Sequence, residues 1–127
     1  MKIQRKIKVL VVEPNELPKI KEIQNTLSAK QQIVDGYIEY TYLENENDIA
    51  IICNEEGKIN GLPLNRDIGY DIIAGTFIIV GDDGVTGEDR SLNEEQIEKY
   101  IKYFDEKSIK RTKQKLIELY QKDNYEI

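Results

Sequence analysis

Asp71-Ile72-Ile73-Ala74-Gly75-Thr76-Phe77-Ile78-Ile79-Val80 is the stretch on which the fold turns. It is apolar over most of its length and rich in β-branched residues, the composition of a buried strand. Residues 71–80 are expected to be the last strand and the most buried one. Gly75 inside it predicts a bulge or a close approach by another group.

Working outward, Ile49-Ala50-Ile51-Ile52-Cys53 is apolar throughout and reads as another central strand. Tyr37 to Leu43 is rich in aromatic and β-branched residues and reads as its hairpin partner, joined through the polar turn Glu44 to Asp48. Lys6 to Val12 is a strand ending at Pro14. Pro14-Asn15-Glu16 is turn chemistry, and Pro18 to Ile23 alternates polar and apolar with period two, as a half-buried strand hairpinned on the first. Asn25 or Thr26 caps a short helix through Val34, with Leu27, Ile33 and Val34 on its apolar face, Lys30 and Gln31 outward, and Asp35-Gly36 ending it. Residues 59–66 form a loop, and residues 81–89 an acidic glycine-rich one.

Ser91-Leu92-Asn93-Glu94 has the spacing of a capping box and opens a helix through Phe104, with Ile97, Tyr100, Ile101 and Phe104 on one face. A second helix spans 107–121, with Ile109, Leu116, Ile117 and Tyr120 inward. The order is β-β-α-β-β-β-α-α. It predicts a single α+β domain of about five mostly antiparallel strands with helices on one face. Residues 1–104 would form the body, and residues 105–127 a basic C-terminal helix packed on the same domain.

The chain has 127 residues and no histidine, which excludes histidine-based hydrolases, zinc enzymes and general bases. Cys53 is the only cysteine, so neither an intrachain disulfide nor a cysteine metal cluster can form. It reads as a small buried strand residue rather than a nucleophile, in a reducing cytoplasm. No apolar run approaches the roughly 18–20 residues of a membrane span. A soluble cytoplasmic protein with no membrane contact is expected.

The net charge of −6 hides a pattern. Residues 1–30 hold seven basic and three acidic side chains, +4; residues 31–98 hold three and sixteen, −13; residues 99–127 hold eight and five, +3. The acidic middle argues against duplex nucleic acid as a partner, because phosphate contacts need a basic face. The basic run Lys107 to Lys115 reads as a solvated helix face pairing with the acidic body. The alternative is a contact surface for nucleic acid or an acidic partner.

Gly57-Lys58 lacks the rest of a phosphate-binding loop, and residues 81–89 lack the spacing of a calcium loop. The carboxylate pairs Glu55/Glu56 and Asp82/Asp83 are sequence neighbours and show no divergence of environment. No catalytic residue, metal or cofactor is assigned. The best candidate is a ligand-binding loop, Asn54 to Arg66. Lys58 and Arg66 are two of only three cations in residues 31–98. With Asn60, Asn65 and the Gly57 and Gly61 amides they could hold an anion, and Leu62, Pro63, Leu64 or Tyr37 could cover a base or sugar. The same residues also read structurally, with Lys58 and Arg66 paired to Glu55, Glu56, Asp67 or Asp71 and Asn65 capping a turn.

Val9 to Pro14, Tyr37-Ile38-Glu39, Cys53 to Lys58, Gly61 to Arg66, Asp71 to Phe77 and Ser91 to Gln96 together resemble an uncharacterised family, catalogued only as a domain of unknown function. The resemblance covers roughly residues 7–104. It implies a setting on phages, plasmids and conjugative elements of Gram-positive bacteria, and it brings no established activity from which catalytic residues could be carried over. Small acidic proteins in that setting often counter host defences. The first expectation is therefore a non-enzymatic protein that sequesters a small anionic, nucleotide-derived immune signal, with a homodimer interface closing the pocket. The second is an inhibitor that binds a host defence protein through the acidic surface of residues 31–98. The third is a small metal-dependent hydrolase using Asp71, Asp82 or Asp83.

Overall fold

The computed structural model describes residues 5–125, with side chains through residue 122. Eleven elements follow in order: β1 (Lys6–Val12), β2 (Lys19–Gln24), α1 (Leu27–Val34), β3 (Ile38–Thr41), β4 (Ile49–Asn54), β5 (Leu64–Asp67), β6 (Ile72–Ala74), β7 (Phe77–Asp82), β8 (Asp89–Arg90), α2 (Glu94–Tyr103) and α3 (Glu106–Tyr125). The domain is α+β. Its main sheet has the order β2-β1-β7-β4-β3, with the short β8 added to β7, and every pairing is antiparallel.

β7 lies between β1 and β4 and is buried from Phe77 to Gly81, as a strand apolar on both faces requires. Leu10, Val12, Ile49, Ile51, Cys53, Phe77 and Ile79 face one core. Ile7, Val9, Val11, Ala50, Ile52, Ile78 and Val80 face the other. α2 covers the first through Tyr100 and Phe104, and the Phe104 ring meets Phe77 edge-on at 5.4 Å. α1 covers the second through Val34 and Ile33. Helices thus lie on both faces rather than one. The reason is that β1, β4 and β7 each present two apolar faces, and both must be covered.

The run 71–80 is two strands, not one. It breaks at Gly75, whose φ is +83°, and a Cβ there would sit 2.8 Å from Leu62 Cδ1. β6, before the break, leaves the main sheet and pairs with β5 in a separate two-stranded sheet. The loop expected over 59–66 therefore ends in a strand.

Three local corrections share one physical theme. The capping box of α2 is formed by Asn93 and Gln96, because Ser91 is engaged elsewhere, its Oγ accepting from Lys8 N at 3.0 Å. α1 buries Lys30 with Val34, and Leu27 is exposed. α3 buries Ser108 and Thr112, while Ile117 and Tyr120 are exposed. Thr112 Oγ1 accepts from Asp67 N at 3.0 Å, and Lys115 Nζ reaches Asp67 Oδ1 at 3.0 Å. The last helix is thus held on β5 by polar contacts, where an apolar stripe was expected. No helix among the described residues is long and apolar enough to cross a membrane.

Candidate functional site

A groove of about 280 Å3 lies between β3 and the β5–β6 hairpin, and it is the concavity that the loop after β4 helps to line. β3 turns Glu39 and Thr41 into it, Cys53 of β4 lies at its floor, and Ile72, Ile73 and Ala74 of β6 form the facing wall. The turn after β4 closes one end. Asn54 is buried and builds that turn. Its Nδ2 donates to the Val34 and Asp35 carbonyls at 3.1 and 3.0 Å, and its Oδ1 accepts from Glu56 N at 2.8 Å. Gly57 is needed because a Cβ there would lie 2.7 Å from the Ala74 carbonyl oxygen. The turn is thereby pressed onto β6, and Glu55 and Glu56 stand exposed at the mouth.

Four carboxylates, Glu39, Glu55, Glu56 and Asp71, line the groove against one cation, Lys58. Lys58 is already ion-paired to Asp71 at the rim, both side chains about half exposed. Burial works against the Asp71 carboxylate, but the Lys58 hydrogen bond and the Ile72 amide outweigh it and hold its pKa below the ordinary value. Burial pushes the Cys53 thiol up to about 11, with Glu39 and Asp71 adding to the effect. At neutral pH it is a protonated thiol, and thus a poor nucleophile.

The residues expected to hold an anion do not converge here. Arg66 is fully buried in β5. Its Nη1 donates to Asn65 Oδ1 at 2.8 Å, and its Nη2 donates to the carbonyls of Glu16 at 2.5 Å and Phe104 at 3.1 Å. Burial lowers its pKa, with Asp105 opposing. Asn65, also buried, donates to the Val12 and Gly75 carbonyls at 2.8 and 2.9 Å. The pair forms a clamp that fixes the hairpin to β1, to the turn before β2 and to the end of α2. Lys58 is at the groove, while Asn60, Gly61, Pro63 and Leu64 are exposed on the turn and strand beyond it. Leu62 packs beneath Gly75. Tyr37 is exposed, and its carbonyl accepts from Glu55 N.

Two polar constellations were not read from the sequence. On the opposite face of β3, Tyr40 OH donates to Asp89 Oδ2 at 2.7 Å, and buried Lys30 pairs with the same carboxylate and with Asn25 Oδ1 at 2.8 Å. Burial and then the Asp89 hydrogen bond raise the Tyr40 pKa. These groups satisfy one another and pin α1, β3 and β8 together. The signal for Lys30 was its i, i+4 spacing from Val34 on the buried face of α1. On the other side, Tyr100 OH reaches Glu46 Oε2 at 3.1 Å, and Lys99 pairs with the same carboxylate.

In the loop after β7, Asp83 accepts from the Val85 and Thr86 amides and from Thr86 Oγ1, each at 2.9 Å, and pairs with Arg90. Those amide bonds, the largest influence, hold its carboxyl down to about 2. The carboxylate shapes its own loop. Among the described residues, no three potential metal-ligating side chains cluster.

A family model described as a domain of unknown function (DUF3846) matches residues 7–105. That span covers the sheet, α1 and α2 and ends before α3 begins. No curated protein matches the chain. No solved structure matches it either.

Proposed function

We propose, for a chain that belongs to the DUF3846 family and takes no assigned activity from it, a non-enzymatic role in binding a protein partner through the acidic groove. The observation that carries this reading is the groove's lining of four carboxylates against one lysine already paired with one of them. Such a surface attracts Lys- and Arg-bearing segments and repels phosphates. The setting implied by the sequence resemblance, phages and other mobile elements, makes the partner a host defence protein, bound and inhibited in the cytoplasm.

The nucleotide-sequestering reading has less to rest on. Its two principal groups, Arg66 and Asn65, are buried and hydrogen-bonded to the protein's own backbone and to each other. Lys58 and the exposed Asn60 are what the loop offers an anion.

Isothermal titration separates the two. A peptide alternating lysine and threonine should bind the folded chain, weakening about tenfold or more between about 0.05 and 0.5 M salt. ATP and a cyclic dinucleotide should give no heat. Saturable nucleotide binding with no peptide binding would overturn the proposal.

A further inference from the structure

The outer strands of the main sheet are β2 and β3. In an antiparallel pair, successive residues turn their amide and carbonyl alternately toward the neighbour and away from it. Glu55 N donates to Tyr37 O at 2.9 Å, which sets the phase of β3. Under the register Ile38 to Asn54 through Thr41 to Ile51, Glu39 and Thr41 face β4 with their backbone. Ile38 and Tyr40 face outward, and no strand among the described residues takes up their groups. The next outward carbonyl, Tyr42, accepts from Tyr70 OH at 2.6 Å, which closes that end of the edge.

The side chains have the complementary phase. Glu39 and Thr41 lie on the groove face, and Tyr40 lies on the other with its hydroxyl on Asp89. A strand laid along β3 would therefore bond to Ile38 and Tyr40 and send every second side chain into the groove beside Glu39, toward Glu55 and Glu56.

We propose that β3 is an acceptor edge for strand addition, and that its occupant is an extended segment of a partner protein with lysine or arginine at alternate positions. This rests on the reading of the groove as a surface for a cationic partner. The open backbone edge supplies hydrogen bonds, and the groove carboxylates select the side chains. A second copy of this chain fits poorly, because two-fold pairing along β3 sets two acidic grooves side by side. Centred on Glu39, it would also place that carboxylate against its own copy.

The test uses the full chain and three forms of the lysine–threonine peptide: unmodified, N-methylated at every lysine, and N-methylated at every threonine. N-methylation removes an amide donor and blocks pairing only where that amide faces the sheet. Strand addition predicts that one methylated form loses affinity at least about tenfold while the other binds within about twofold of the parent. Loss at the threonine phase marks antiparallel addition, and loss at the lysine phase marks parallel addition. Equal effects of both methylations would overturn strand addition and leave the cationic groove standing. Failure of the unmodified peptide to bind would overturn both.

Discussion

The two edges of the one sheet have the same backbone chemistry and opposite side-chain chemistry. β2 reads Lys19-Ile20-Lys21-Glu22-Ile23-Gln24 and is exposed along nearly its whole length. Two-fold pairing of β2 with another copy sets residues of equal parity opposite one another. Centred on Lys21 or Glu22 it brings identical charges together, and centred on Ile20 it sets Lys19 against Lys21. That is how an edge strand is kept from pairing with its own kind. β3, at the far side, carries Glu39 between Ile38 and Tyr40 and borders a groove with three further carboxylates, Glu55, Glu56 and Asp71. Both edges offer backbone groups unpaired among the described residues, so the sign of their charges is what would separate a partner for one from a partner for the other.

The largest break in this comparison comes from Arg66. The groove beside β3 exists because the β5–β6 hairpin is clamped in place. Arg66→Ala removes the buried donors to Glu16, Phe104 and Asn65 and leaves a cavity. Unfolding by denaturant should show a loss of about 3 kcal/mol. An unchanged midpoint would show that Arg66 is not the clamp.

Next in size is Glu39→Lys, which gives β3 the guard that β2 already has. Lysine–threonine peptide binding should fall at least about tenfold. Stability should change by no more than about 0.5 kcal/mol, because Glu39 is exposed. The reverse exchange, Lys19→Thr with Lys21→Thr, should make β2 self-associate in a concentration-dependent way, read by sedimentation velocity. A strictly monomeric double variant would mean that the lysines are not what protects that edge.

The smallest effect expected is at Cys53, on the groove floor. With its thiol pushed up to about 11, the thiolate appears only as pH rises toward that value, so iodoacetamide at about pH 8 should leave the native protein unmodified. Rapid native-state alkylation would show the floor to be open.

Much of this architecture is legible in the sequence, and the failures share a cause. β4, β7 and the Val9–Val12 half of β1 declare themselves through runs of aliphatic residues, because burial of both faces leaves little room for polar ones. Gly75 marked a special point, but an apolar run does not say which sheet each half joins. The break at Gly75, with Leu62 beneath it, divides residues 71–80 between two sheets. Arg66 drew attention because cations are scarce in residues 31–98, yet charge counts are blind to burial. Its partners at Glu16 and Phe104 lie 50 and 38 residues away. The pairing of Lys30 with Asp89 was hidden in the same way, its two members being 59 residues apart. Long-range polar pairing leaves no periodic trace, whereas apolar burial does.

The most direct test of the difference between the edges is residue-resolved hydrogen exchange with and without the lysine–threonine peptide. The β1–β2 register, phased by Asn25 N donating to Arg5 O, turns the Ile20 and Glu22 amides outward, as Ile38 and Tyr40 are turned outward on β3. With saturating peptide, exchange should slow at Ile38 and Tyr40 and stay unchanged at Ile20 and Glu22. Protection at Ile20 and Glu22, or at neither pair while the peptide is bound, would contradict the account.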